Sequence, residues 1–188
     1  LLPGLQPLGV PRELRGTTLT FAYNNRQQFQ DTLDRLGGKL AAVIMEPCRR
    51  NDPEPGFLQF IRDGAHRVGA LLIYDEITIG FRLVRGGAHL RFVVSPDIAI
   101  FAKALGNGHP ISAVMGTSAA MEGAQRSFIS STYWTENIGP AAGVATLRKM
   151  ERLDVPAHVA RIGTMVQSVW RKGIAAHHLP ASVPEGYP

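Results

Sequence analysis

The chain has 188 residues, 45% of them hydrophobic and 19% charged, with a formal net charge of +5. That length and balance suit a folded globular protein with one sizeable core, or the larger part of a mixed domain. No apolar run approaches the roughly 20 residues that a membrane-spanning helix requires, no secretory signal pattern opens the chain, and Cys48 stands alone, so no internal disulfide can form and a cytoplasmic setting is expected.

The basic balance raises nucleic acid as a partner. The arginines and lysines are scattered, with Arg49-Arg50 the only adjacent arginine pair and no aromatics interleaved. A solvated basic surface, or one that meets phosphate-bearing small molecules, is the better expectation.

Residues 1–15 carry three prolines and little periodicity and read as a loop or a poorly ordered lead-in. Residues 17–23 alternate β-branched and aromatic side chains, which predicts a short strand broken by Asn24-Asn25. Residues 27–36 predict a helix ended by Gly37-Gly38, and 40–45 a buried strand that delivers Glu46-Pro47. After a Pro/Gly loop at 49–56, Phe57, Phe60, Ile61 and Ala65 recur at helical spacing up to Gly69. A continuous apolar run, 70–74, follows and delivers Asp75 and Glu76; such runs suit strands covered on both faces. Strand–helix–strand order predicts a parallel sheet.

Residues 81–92, rich in Arg and Gly, read as an irregular excursion. A second apolar run, 98–102, delivers Lys103 ahead of a Gly106-Asn107-Gly108 turn, and 111–115 predicts another strand. Helices are predicted over 118–124, 137–152 and 155–174. The fold class is therefore α/β, a mainly parallel sheet flanked by helices.

In open α/β sheets, ligands sit outside the carboxyl ends of the strands. Asp75 and Lys103 occupy two such ends and are candidates to face one pocket. A lone Ala-Lys-Ala would be read as a solvated lysine at a turn. The Asp upstream and the Gly-Asn-Gly-His-Pro turn downstream make Lys103 the stronger candidate.

These two stretches carry a resemblance. Leu72-Ile-Tyr-Asp-Glu-Ile-Thr-Ile-Gly-Phe-Arg82 and Phe101-Ala-Lys-Ala-Leu-Gly-Asn-Gly-His-Pro-Ile-Ser-Ala-Val-Met-Gly116 resemble the class III aminotransferases, pyridoxal-phosphate enzymes of fold type I, on the glutamate-1-semialdehyde aminomutase side of the family. The match runs from about residue 40 to about residue 150. It implies a partial fold type I large domain over 1–152, then a connecting helix and the start of a smaller domain over 153–188. It also implies that a whole member is longer at both ends, so a partial chain is expected.

What the resemblance implies for chemistry follows residue by residue. Lys103 would carry pyridoxal 5'-phosphate as a Schiff base and act as general base, which requires an amine that is neutral part of the time. Asp75 would hold the pyridine nitrogen protonated. Ile77 would pack under the ring, and Thr78 would approach its phenolic oxygen. Glu46 would be a carboxylate near the cofactor, with loop stabilisation as the other reading. Thr132 would reach the phosphate across a homodimer interface, with Ser131 and Thr135 as alternatives because the family's Gly-Asn-Pro pattern is replaced here by Tyr-Trp-Thr-Glu-Asn. Asn51 stands where ω-aminotransferases carry a glutamate, which favours the aminomutase-like branch.

Glu76 reads as structural, His109 as packed or solvated, and no His/Cys/Asp spacing suggests a metal. No stretch before residue 40 matches the family's phosphate turn or stacking aromatic. The substrates expected are a small amino donor and a carbonyl acceptor. A non-catalytic fragment of such an enzyme and a basic α/β nucleotide- or nucleic-acid-binding module stand as the rival readings.

Overall fold

Three of the apolar runs pair side by side in the order in which they occur. β1 (Ala42–Met45), β2 (Leu71–Asp75) and β3 (Ile98–Phe101) are parallel, and β4 (Ala113–Gly116) closes the sheet antiparallel to β3. The computed structural model describes residue 6, residues 8–184 and residues 186–187. The mainly parallel α/β expectation holds, with the fourth strand running back to β3 after the irregular connection 102–112, which holds no crossover helix.

The register places Met45 beside Tyr74, Tyr74 beside Ala99, and Asp75 beside Ile100. Residues in register share a face, so the sheet has two distinct sides. Val43, Met45, Leu72, Tyr74, Ala99 and Phe101 form one, and all are buried. Ile44, Ile73, Ile98, Ile100 and Val114 form the other. There Ile44 is 58% and Val114 53% exposed, and the rest are half-buried. A covering on both sides was expected from the unbroken apolar runs. Among the described residues, the helices pack on one side only.

The covering helices are α1 (Arg26–Leu36) and α2 (Phe57–Arg67), which pack against each other, while α2 lies on β2. Asn25 caps α1 by accepting from the Gln28 N–H at 2.9 Å. Phe29 and Leu33 of α1 meet Phe57, Ile61 and Ala65 of α2 in the main core with Leu72 and Tyr74. Gly64 is required at the crossing: a Cβ there would lie 2.7 Å from the Phe29 ring and 2.9 Å from Leu33.

Residues 17–23 form no strand, against the alternation of their sequence. Phe21 and Tyr23 instead pack on the rings of Phe29 and Phe57, each with centroids 5.2 Å apart. The Ala22 N–H is satisfied by the Gln28 side chain at 2.6 Å, so this stretch uses its alternate residues to cover helices and not to extend a ladder.

Beyond β2, residues 77–80 turn, and the predicted excursion includes one helical turn, α3 (His89–Phe92). α4 (Ser118–Gln125), α5 (Ile138–Arg152) and α6 (Val155–Ala176) follow β4, as predicted within one or two residues. Of these three, only Gly139 and Gly143 of α5 are buried. They sit against Ile111 and the Leu105 and Pro110 carbonyls, so α5 reaches the turn after Lys103 through its side-chain-free stripe.

Candidate functional site

Parallel strands that end on one edge bring their terminal residues together, and here those are Glu46 just after β1, Asp75 at the end of β2 and Lys103 two residues past β3. Met45 is in register with Tyr74, so Glu46 continues alongside Asp75 on the open side of the sheet. Asp75 is half-buried at the end of β2, and its Oδ1 accepts the Ile77 N–H at 3.0 Å. β2 stops there, so alternation no longer places Ile77. Its position beside Asp75 follows from that turn hydrogen bond, and it is half-buried.

Lys103 begins a 3₁₀ turn, Lys103–Leu105, with its backbone in the left-handed region at φ 45°. Such a conformation is costly for a lysine and persists where the surroundings hold it. Here the Asn107 N–H bonds back to the Lys103 carbonyl at 2.9 Å. Gly106 lets the chain close: a Cβ there would lie 2.2 Å from the His109 carbonyl oxygen. The side chain is exposed, and its Nζ donates to Thr78 Oγ1 at 2.9 Å. Thr78, on the turn after β2, thereby aims the amine back toward Asp75's strand.

Glu46 senses the same group. Burial raises its carboxyl above the ordinary glutamate value of 4.5; Arg49 pulls it down, Asp75 pushes it up and Lys103 pulls it down. Its Oε1 lies 3.5 Å from the Arg49 guanidinium, while Oε2 is buried without a hydrogen-bond partner. A buried, unpartnered carboxylate oxygen is costly in a finished site and suits one that receives a donor from a bound molecule.

Glu76 turns to the buried side, as expected, and is 1% exposed. Its Oε2 accepts the Ala88 N–H at 2.8 Å, and its Oε1 accepts the His89 N–H at 3.0 Å with His89 Nδ1 at 2.8 Å. Gly87 makes room for this, since a Cβ there would sit 2.9 Å from Oε1. Glu76 therefore ties the excursion to the sheet edge and keeps the turn that holds Thr78 in place.

The structure brings Lys103, Asp75, Ile77, Thr78 and Glu46 to one edge. It leaves Thr132 apart. That residue, with its alternatives Ser131 and Thr135, is exposed ahead of α5, and among the described residues none of the three bonds to Lys103 or Asp75. His109 is exposed, and no cluster of His, Cys, Asp and Glu among the described residues is placed to hold a metal. Among the described residues, no helix is long and apolar enough to cross a membrane.

A cleft of about 710 Å³ opens beside Lys103, walled by Phe81, Met150 of α5 and Val155 and Val159 of α6, with Arg82 and Lys149 also lining it. Sequence reasoning missed both cations. Arg82 sits in a stretch without periodicity, just after the left-handed Phe81 (φ 63°), whose ring lies tilted against Phe101 with centroids 5.5 Å apart.

The donor set fits pyridoxal phosphate. An amine at one strand end and a carboxylate at the next match a carbonyl and a ring nitrogen, and the bare Glu46 oxygen leaves acceptor capacity over.

Comparison with known proteins agrees. The model of the family described as "Aminotransferase class-III" matches residues 11–184. Glutamate-1-semialdehyde 2,1-aminomutase of Desulfosudis oleivorans is 36% identical over 151 residues, 77% of this chain and 35% of that protein. Glutamate-1-semialdehyde 2,1-aminomutase 2 of Lysinibacillus sphaericus is 32% identical over 182 residues, 93% of this chain and 42% of that protein. Among solved structures, the PLP internal aldimine form of the FumI protein of Sphingopyxis sp. MTA144 superposes with a TM-score of 0.79 at 25% identity, over 85% of this chain and 40% of that one. The chain thus spans well under half the length of these relatives, and over that span it is a member of the class III aminotransferase family.

Proposed function

We propose that this chain is the lysine-bearing part of a pyridoxal-phosphate-dependent aminotransferase or aminomutase that acts on an amino acid, amino sugar or related carbonyl compound. The observation that carries the reading is the Lys103 amine, aimed by Thr78, at the strand end next to Asp75. When bound, pyridoxal phosphate supplies an electron-withdrawing ring that takes up the charge left when a proton leaves the substrate carbon.

This chain's residues then have distinct tasks. Lys103 Nζ would hold the cofactor through its carbonyl carbon, the carbonyl oxygen leaving as water, and as a free amine it would move a proton between substrate atoms. The Asp75 carboxylate would hold a proton at the ring nitrogen. Ile77 would pack against the ring, Thr78 orients the amine and would meet the phenolic oxygen, and Glu46 would offer the second carboxylate. Thr132 holds the phosphate of a neighbouring subunit's site in a homodimer, which accords with its exposure away from Lys103. We assign 1–152 to the cofactor-binding large domain and 153–188 to a connecting helix and the start of a small domain; the break at Leu153 between α5 and α6 supports that boundary. The single, buried Cys48 accords with a reducing cytoplasm.

The test is covalent trapping. The purified chain is mixed with pyridoxal phosphate, reduced with borohydride and mapped by mass spectrometry. The pyridoxyl group is expected on Lys103, and Lys103→Ala is expected to lose it together with the visible absorption band. A label absent from Lys103 in the parent chain would sink the proposal.

A further inference from the structure

Tyr187 reaches back across 135 residues to the loop that follows β1. Its N–H donates to the Arg50 carbonyl at 2.7 Å, and its hydroxyl donates to the Asp52 carboxylate. The other Asp52 oxygen faces Arg91 of α3 at 3.2 Å, and the Arg91 guanidinium lies 5.8 Å from the centre of the Tyr187 ring. Asp52 thus joins three stretches of chain that are remote in sequence.

The fit admits no side chain one residue earlier. Gly186 has φ 123°, and a Cβ there would lie 2.3 Å from the Arg50 carbonyl oxygen. The Tyr187 ring packs on Cys48, Ile79 and Ala88, a small buried cluster separate from the main core. Cys48 is 0% exposed, and burial pushes its thiol up to about 12, which keeps it unreactive while covered. Tyr187 also walls a cleft of about 320 Å³ that Thr78 and Val159 line.

This hold is local. Residues 177–184, between α6 and Gly186, form neither helix nor strand, and all but Val183 are exposed. A segment held by so few buried contacts can open at far less cost than unfolding the core.

We propose that Gly186-Tyr187 is a strap that opens and closes while the sheet and its helices stay folded. Closed, it covers Cys48 and walls the cleft beside Thr78; open, it bares the thiol and removes that wall. No cofactor or substrate enters this, so it stands apart from the function proposed above.

Cys48 is the chain's single cysteine and serves as the reporter. The purified chain is mixed with Ellman's reagent; the Cys48 thiolate attacks the reagent's disulfide and releases one thionitrobenzoate, whose absorbance gives the rate. The parent is expected to react slowly. Tyr187→Ala is expected to react about tenfold faster or more, as loss of a hydrogen bond to a charged group implies. Gly186→Val is expected to match it, because the added side chain blocks docking, and Tyr187→Phe to fall between, keeping the ring without the hydroxyl. Tyr133→Ala removes an exposed ring elsewhere and is expected to react as the parent does. The gain is expected to stay flat in urea below the unfolding transition, since local release exposes little surface.

Equal rates in the parent and Tyr187→Ala overturn the proposal, as does equal acceleration by Tyr133→Ala. A gain that climbs with urea in step with global unfolding also overturns it, because the thiol is then bared by loss of the whole fold.

Discussion

The two faces of the sheet are built from the same kinds of residue and live in different surroundings. On one, Leu72 and Tyr74 are fully buried beneath α1 and α2; on the other, Ile44 and Val114 are more than half exposed. Asp75 ends the open side and Glu76, one residue later, turns to the buried side. The covered face holds the sheet together, and the open face carries the acidic residues of the candidate site. Two adjacent carboxylates thus acquire opposite jobs from a change of side alone.

The comparison is broken most easily at Leu72. Leu72→Ala is expected to cost about 2–5 kcal/mol, because it empties a close-packed site, and urea unfolding measures it. Glu76→Gln comes next, at about 2 kcal/mol: an amide group would face a backbone N–H with a donor where an acceptor stood. A cost near zero by the same method would show that the excursion is not tied through Glu76.

Ile44→Ala, on the open face, is expected to cost under about 1 kcal/mol, since most of its surface already meets water. A cost matching that of Leu72→Ala would mean that this face is covered in solution. The smallest effect is expected at Glu46. Its raised carboxyl pKa means that the folded chain holds this proton to higher pH than the unfolded chain does. Its contribution to stability therefore falls as pH rises above the ordinary value of 4.5. Glu46→Gln is expected to be slightly more stable than the parent at pH 8, with the gain shrinking toward pH 4. A thermal-melt series in which the gain grows on acidification would refute this.

Much of this was legible in the sequence, for identifiable reasons. Unbroken apolar runs ending in Glu46, Asp75 and Lys103 announced parallel strands that deliver polar residues to one edge, and the structure has that edge. The coverage of those strands was not legible, because Ile44 and Leu72 look alike until the helices are placed. Residues 17–23 misled because packing on Phe29 and Phe57 imposes the same alternation as a strand. Arg82 was invisible because it follows the left-handed Phe81 in an irregular stretch, which leaves no periodic trace. Thr132 was chosen by spacing to a later helix, and that carries no information about what it faces.

The site edge is assembled from three strands that are far apart in sequence and joined by crossovers. None of Glu46, Asp75 and Lys103 can meet its neighbours until both parallel pairings are in place. Such non-local pairing closes large loops before its contacts reward it, so it forms late and slowly. Under the proposed function, competence to trap the cofactor is therefore a readout of the finished sheet, and during refolding it is expected to appear only after the helices have formed.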